Sequence, residues 1–335
     1  MKLVTFDINT PVGPVQRIGA LLEGRVVDLS QAYACHLAET GDTSVDRAYE
    51  VAAALLPPSD MVAFLSGGKL SMDAAKTALE HARRHGGSPE SIRAPKGGRP
   101  IFALSEVRLR APIPRPTSLR DGWLYEEHAK NAMRKAGKEV PELWYKIPAY
   151  YRTSHTNVVG PDDPIIWPNY TEKLDYELEL ACVIGKEGVN IPKERANEYI
   201  AGYTIYNDVS LRDYQFYEMG LGLGPNKGKN FVNCNIMGPC IVTPDEFDPT
   251  KAKMYARCNG EVWSENVSGG MQFSFQEVIE YMTREEPVYP GEIIGSGTVG
   301  GGCSLEHDRW LKPGDVLELE IEGIGILRNP VTRPR

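Results

Sequence analysis

Apolar and polar positions alternate through the first thirty residues. MKLVTFDI, QRIGALLEG and RVVDLS each read as a short strand, with Gly- and Pro-containing turns between them and a hairpin around Gly24. The period then changes. Residues 45–55 and 71–86 (SMDAAKTALEHARRHG) carry helical spacing, the second stretch stopping at Gly86–Gly87. A polar stretch, GGSPESIRAPKGGRP, lacks periodicity and leads to VRLRAPIPRPTS, a strand running into a proline-rich connector. This shift predicts a domain boundary near residue 115, with a small N-terminal domain of short strands and helices over 1–115 and a larger domain over 116–335.

Past the boundary, DGWLYEEHAKNAMRKAG reads as a helix preceded by Asp121. PIIWP and LDYELELACVIG read as strands, IPKERANEYI as a helix, AGYTIYNDVS as a strand and LRDYQFYEMG as a short helix. MYARCNGEVWSE predicts a hairpin turning at Asn259–Gly260, the strongest short-range hairpin signal. FSFQEVIEYMTR is an amphipathic helix, and GEIIGSGT and DVLELEIEG are closing strands separated by VGGGCSLEHDRWLKPG. Strands dominate and helices interrupt them, which predicts a mixed α+β, β-rich fold and not a βαβ repeat.

Composition narrows the function classes. The 335 residues, 41% hydrophobic and 24% charged, suffice for a substantial core. A net charge of −8 without a Lys/Arg-rich run argues against a nucleic-acid partner or an anionic membrane surface. No apolar run approaches the roughly 20 residues a bilayer span needs. The N-terminus carries Asp7 and lacks a continuous apolar stretch, so it does not read as a signal peptide. Cys35, Cys182, Cys234, Cys240, Cys258 and Cys303 have no C-x-x-C spacing and read as reduced, mostly buried thiols. The expectation is a soluble, cytoplasmic protein.

One strand stands out chemically. EKLDYELELACVIG places Asp175, Glu177 and Glu179 at every second position, hence on one face, with Leu174, Tyr176, Leu178, Leu180 and Cys182 on the other. A half-buried strand with one wet face produces the same alternation. The wholly apolar LACVIG that follows, however, makes the strand look central, where three carboxylates would repel unless neutralised. Asp208, near the end of a second strand, can converge on the same point. The histidines read as singletons without ligand spacing, so an oxygen-ligated Mg²⁺, Mn²⁺ or Ca²⁺ is expected rather than zinc. Arg212 and Gln215 share a helical face, and Lys227 and Lys229 follow in a Gly-rich loop that has neither dinucleotide-binding nor P-loop spacing. GSGTVGGG suggests close backbone approach to a site. His128, beside Glu127, reads on its own as a surface residue.

Taken in order, YELELACVIG, AGYTIYNDVSLRDYQ, GKNF, GSGTVGGG and WLKPGDVLELEIEGIGILRNPV resemble the fumarylacetoacetate hydrolase family, closely over about 105–331 and loosely over 1–100. The resemblance implies a C-terminal mixed β-sandwich roll around a divalent ion, a small β-rich N-terminal domain and a homodimer. It makes Glu177, Glu179 and Asp208 metal ligands, with Asp121 a fourth found in the fumarylacetoacetase branch. The same branch implies His128 as the water-activating histidine, Glu318 in VLELE as the carboxylate orienting it, and Lys229 as a catalytic lysine. Tyr151, Arg212, Gln215 and Thr298 match substrate contacts. The substrate-facing set departs from that branch: Met219 stands where a tyrosine is expected, Trp123 replaces another aromatic residue, and the arginine expected after His128 has no counterpart.

The implied reaction is hydrolysis of a carbon–carbon bond in a small 1,3-diketone acid, with Mg²⁺ (or Mn²⁺ or Ca²⁺) as template and Lewis acid and a His128–Glu318 pair activating water. Decarboxylation, hydration or tautomerisation of a 2-oxo acid on the same scaffold is the nearest alternative. A non-catalytic, metal-stabilised protein is the other.

Overall fold

The strand Leu178–Ile184 (LELACVI) is buried at every position because its two faces meet two different cores. Leu178, Leu180, Cys182 and Ile184 pack towards a second sheet, against Met254, Leu317, Leu319 and Leu327. Ala181 and Val183 join the other core, with Leu29, Phe64, Ala75 and Ala78 from N-terminal helices. Glu179 belongs by alternation to the face of Ala181 and Val183. The carboxylate face of the sequence thus becomes apolar half-way along, and the acidic residues sit at the rim of a buried layer.

The computed structural model describes residues 1–41 and 43–333. They form a mixed α/β, β-rich fold with several mixed sheets. Ten strands of a twelve-stranded sheet run in the spatial order Ile101–Ala103, Arg25–Asp28, Gly13–Leu22, Lys2–Thr10, Asn235–Val242, Ile200–Asp208, Leu178–Ile184, Ile293–Gly295, Leu119–Gly122, Tyr150–Arg152. Its N-terminal and C-terminal parts are continuous, since Lys2 and Leu3 pair with Val242 and Ile241. Most neighbours are antiparallel, but Ile293–Gly295 runs parallel to Leu119–Gly122. A five-stranded sheet, Glu261–Val267, Lys253–Cys258, Val316–Ile321, Gly325–Thr332 and Ile165–Ile166, covers the first core.

Local chemistry explains where the elements depart from the pattern. RVVDLS is strand only to Asp28, whose carboxylate accepts from the Gln31 amide and starts the helix Leu29–Thr40. Asp60 caps Met61–Ser66 in the same way. The helix expected at 191–200 is a 3₁₀ helix over Lys193–Tyr199. The hairpin turns at Asn259 and Gly260, both with positive φ (53° and 81°), as a two-residue primed turn requires. All six cysteines are free and buried. Helix Gly68–Arg84 packs against Leu29–Thr40. Its His81 is buried, and burial, reinforced by His85, pushes the imidazole pKa down to about 4. Among the described residues no helix is long and apolar enough to cross a membrane.

Candidate metal centre and active site

Three strand ends deliver four carboxylates to one point. Glu177 and Glu179 lead into and begin the Leu178–Ile184 strand. Asp208 ends the antiparallel neighbour Ile200–Asp208, and Asp121 lies on Leu119–Gly122. Between the Asp121 strand and the Glu179 strand runs Ile293–Gly295, and its last residue has no side chain. A Cβ on Gly295 would lie 2.3 Å from Asp121 Oδ1 and 2.8 Å from Glu179 Oε2, so glycine is what lets the two acids meet across an intervening strand. The next backbone amides turn inwards. Gly297, at φ 75°, donates to both Asp121 Oδ1 (3.3 Å) and Glu179 Oε2 (3.2 Å).

One oxygen from each of Asp121, Glu177, Glu179 and Asp208 lies within 4.8 Å of the others, and all four residues are buried. Lys229 Nζ donates to Glu177 and, at 2.6 Å, to Asp208 Oδ2. Tyr151 donates its hydroxyl to the same Asp208 oxygen at 2.6 Å. Burial, then the charge of Asp208, raises Asp121 well above the ordinary carboxylate range. Burial and the charge of Asp121 do the same to Glu179. Glu177 goes the other way: burial opposes ionisation, but the charges of Arg212 and Lys229 outweigh it and hold the carboxylate low. Lys229 is held above its usual value by Asp208 and Glu177 in spite of burial, and so stays an ammonium.

Two buried oxygens, Glu179 Oε1 and Asp208 Oδ1, have no hydrogen-bond partner. Orphaned carboxylate oxygens, an all-oxygen donor set and too few cations for four acids together fit a hard divalent ion. The residues that would hold it are Asp121, Glu177, Glu179 and Asp208.

Behind this quartet stands Arg212. Its Nε donates to Asp175 Oδ2 (2.6 Å), one terminal nitrogen to Glu177 Oε1 (2.6 Å) and the other to Gln215 Oε1 (2.8 Å). Asp175 is fully buried, and its oxygens also accept from the amides of Ser304 (2.7 Å) and Leu305 (3.1 Å). Asp175 therefore fixes the start of the short helix Ser304–His307, and that helix carries the partner of His128. Glu306 Oε2 lies 3.1 Å from His128 Nδ1, while Asn131, on the same helix as His128, donates to Glu306 Oε1 at 2.8 Å. Hydrogen bonds and charge from His128 hold Glu306 down at about 2 against the effect of burial.

Glu306 replaces Glu318 in the expected pair. Along Val316–Ile321 the residues Leu317, Leu319 and Ile321 enter the core, which turns Glu318 to the opposite face with Glu320, whose partner is Arg257. The other expected residues gather round one cavity of about 270 Å³: Asp121, His128, Tyr151, Glu177, Glu179, Arg212, Gln215, Lys229 and Thr298 all line it. Asp208 lies behind it, bonded to Tyr151 and Lys229. Thr298 presents a buried hydroxyl with no partner. Trp123, Phe216, Met219 and Pro225 supply apolar wall.

The family model described as Fumarylacetoacetate (FAA) hydrolase C-terminal matches residues 118–332. The chain belongs to the fumarylacetoacetate hydrolase family. Among curated relatives, the mitochondrial oxaloacetate tautomerase FAHD2A of Bos taurus is 33% identical over 277 residues, covering 82% of this chain and 80% of the relative. Among solved structures, fumarylacetoacetate hydrolase from Exiguobacterium antarcticum is 25% identical with a TM-score of 0.69, covering 99% of this chain and 100% of that one. A maleylpyruvate hydrolase from Sphingobium sp. SYK-6, solved with manganese(II) and pyruvate, shares the fold at 20% identity, with a TM-score of 0.68 over 100% of both chains.

Substitutions at the quartet separate ligands from their supports. Glu179→Gln should abolish tight Mn²⁺ binding in equilibrium dialysis. Asp175→Asn, which leaves all four acids intact, should weaken binding by no more than about 10–100-fold. Equal losses at both positions would contradict the assignment.

The raised acids also set a pH dependence. Without an ion, Asp121 and Glu179 take up protons more readily folded than unfolded, so their contribution to stability falls as pH rises above their ordinary values of 3.8 and 4.5. Ion binding requires the deprotonated forms and strengthens over the same interval. The gain in melting temperature on adding Mn²⁺ should therefore grow between about pH 5 and about pH 8, as scanning calorimetry would show. A constant or shrinking gain would argue that these carboxylates do not bind the ion.

Proposed function

We propose that this protein is a divalent-metal-dependent tautomerase of small 2-oxo dicarboxylic acids of the oxaloacetate type. One observation carries the reading. A small cavity holds a histidine oriented to move a proton, beside an ammonium that is held too firmly to release its own. The names of the FAHD2 relatives, oxaloacetate tautomerases at 31–33% identity, support the substrate class. So does the cavity volume of about 270 Å³, which suits a small acid.

Mg²⁺ or Mn²⁺, held by Asp121, Glu177, Glu179 and Asp208, would supply positive charge that lowers the cost of forming an enolate. The manganese in the maleylpyruvate hydrolase structure supports that choice of ion. The chain's own residues do the rest. Glu306 accepts from His128 Nδ1–H and leaves Nε2 as the basic nitrogen. Nε2 takes a proton from the carbon flanked by the two carbonyl groups, and the electron pair moves to the oxo oxygen. Lys229 gives that oxygen a fixed positive neighbour. Protonation of the oxygen by the imidazolium completes the enol, and the reverse sequence gives the ketone. Thr298 has a hydroxyl free for a substrate carboxylate. Arg212 has less to offer, since its three nitrogens already serve Asp175, Glu177 and Gln215.

Hydrolysis of an acylpyruvate is the second reading, favoured by the same His128–Glu306 pair, which can equally take a proton from water. The two readings part on substrate. With Mn²⁺, the tautomerase should accelerate decay of oxaloacetate enol absorbance and leave acylpyruvates uncleaved. His128→Ala should lower that rate about 10²–10⁴-fold while retaining Mn²⁺ binding. Glu306→Gln should act in the same direction and far from additively, because the pair works as one unit. Release of two acids from an acylpyruvate, with no effect on oxaloacetate enol, would replace this reading by the hydrolase.

A further inference from the structure

Far from the cavity in sequence, helices Leu29–Thr40 and Gly68–Arg84 pack together with three metal-binding side chains at their C-terminal ends. Glu39 lies in the last turn of the first helix, His81 in the last turn of the second, and His85 caps the second. One ligand atom from each lies within 4.8 Å of the others. The histidines are not the singletons they seemed in the sequence: four residues apart, His81 and His85 share one helical face.

At His85 a hydrogen bond to the backbone has already chosen the donor atom. His85 Nδ1 lies 3.0 Å from the carbonyl oxygen of His81, so Nδ1 carries the proton and Nε2 keeps its lone pair. Nε2 sits 3.5 Å from Glu39 Oε2, and His81 Nδ1 sits 3.3 Å from the same oxygen. His81 is only 1% exposed, yet its Nδ1 has no hydrogen-bond partner. Both gaps are long for a hydrogen bond, which prefers about 2.9–3.0 Å. They come close to the edge of a coordination tetrahedron, which is about 3.3–3.4 Å for zinc bonds to nitrogen and oxygen of about 2.0–2.1 Å. The carbonyl ends of two helices meet here and add negative potential. The His36 ring stands 5.6 Å from that of His81, one turn before Glu39.

We propose that Glu39, His81 and His85 form a second metal site, for a borderline divalent ion of the Zn²⁺ type, which fastens the ends of these two helices together. Two imidazoles and one carboxylate select such an ion over Mg²⁺, whereas the all-oxygen quartet at the cavity prefers the harder ion. The fourth position falls to water or to His36.

The test uses the full chain, stripped with chelator and then saturated with Mg²⁺ to fill the carboxylate centre. It should still bind one equivalent of added ZnCl₂ in equilibrium dialysis and gain melting temperature. Zinc-edge X-ray absorption should show imidazole ligation. His85→Ala and Glu39→Gln, at partly exposed positions, should fold normally, weaken Zn²⁺ about 10-fold or more and lose the thermal shift. Glu179→Gln should keep this equivalent. Zn²⁺ binding that disappears with Glu179→Gln, or that survives both His85→Ala and Glu39→Gln unchanged, would overturn the proposal, as would failure of the wild type to bind Zn²⁺ at all.

Discussion

Four carboxylates buried within 4.8 Å of one another repel, and the low-dielectric interior around them gives that repulsion little screening. Much of the local architecture answers this one constraint. Lys229 is placed between Glu177 and Asp208, and Arg212 meets Glu177 from behind. Asp121 and Glu179 receive no cation of their own, only the shared amide of Gly297, and their raised pKa values register the deficit. A divalent ion is the one partner that would meet all four acids together. The unpartnered oxygens of Glu179 and Asp208 mark where charge is still wanting.

The same constraint explains why glycines concentrate in GSGTVGGG. Carboxylates on non-adjacent strands can converge only if the strand between them gives up its side chain, as Gly295 does. At Gly297 the backbone must approach within hydrogen-bond reach, and a Cβ there would meet the Gly122 carbonyl oxygen at 2.4 Å. The supporting shell is equally economical in elements. Asp175 links Arg212 to the amides that open the Ser304–His307 helix, so the residues that set the charge of the metal centre also hold the carboxylate that orients His128. One buried side chain outside both the quartet and the cavity lining thus joins the two halves of the site.

Much of this was legible in the sequence, for reasons that differ by residue. Glu177 and Glu179 declare themselves through period-two spacing ahead of an apolar run, and Asp208 through its place at the end of a neighbouring strand. Asp121, His128 and Lys229 carry no such signal by themselves and became visible only through motifs in register with a known family. Glu306 was missed because a four-residue helix has no periodicity to detect, and the closing strand offered Glu318 as a plausible substitute. The helix Leu29–Thr40 was missed as well. Val26 and Val27 run up to it, and the capping role of Asp28 is local chemistry that a strand pattern hides. The four-residue step from His81 to His85 was present in plain text. Its significance depends on Glu39, which only packing brings near.

A scaffold of this kind separates what is fixed from what can vary. Glu177, Asp208, Lys229, Arg212 and Asp175 are tied to one another by short bonds between buried groups, and altering any of them disturbs the rest. Trp123, Phe216, Met219 and Pro225 only supply wall, and Phe216 and Met219 are partly exposed on a helix that ends in a loop. Substitution there changes the shape of the cavity without touching its charge. An ion beside a 2-oxo group favours an enolate whatever follows. On the proposed reading, whether His128 returns the proton to oxygen or takes one from water depends on which molecule the wall admits beside Nε2. On that reading the choice of reaction lies at the rim, with apolar side chains whose packing leaves no periodic trace in the sequence, while the buried charges favour an enolate in either case.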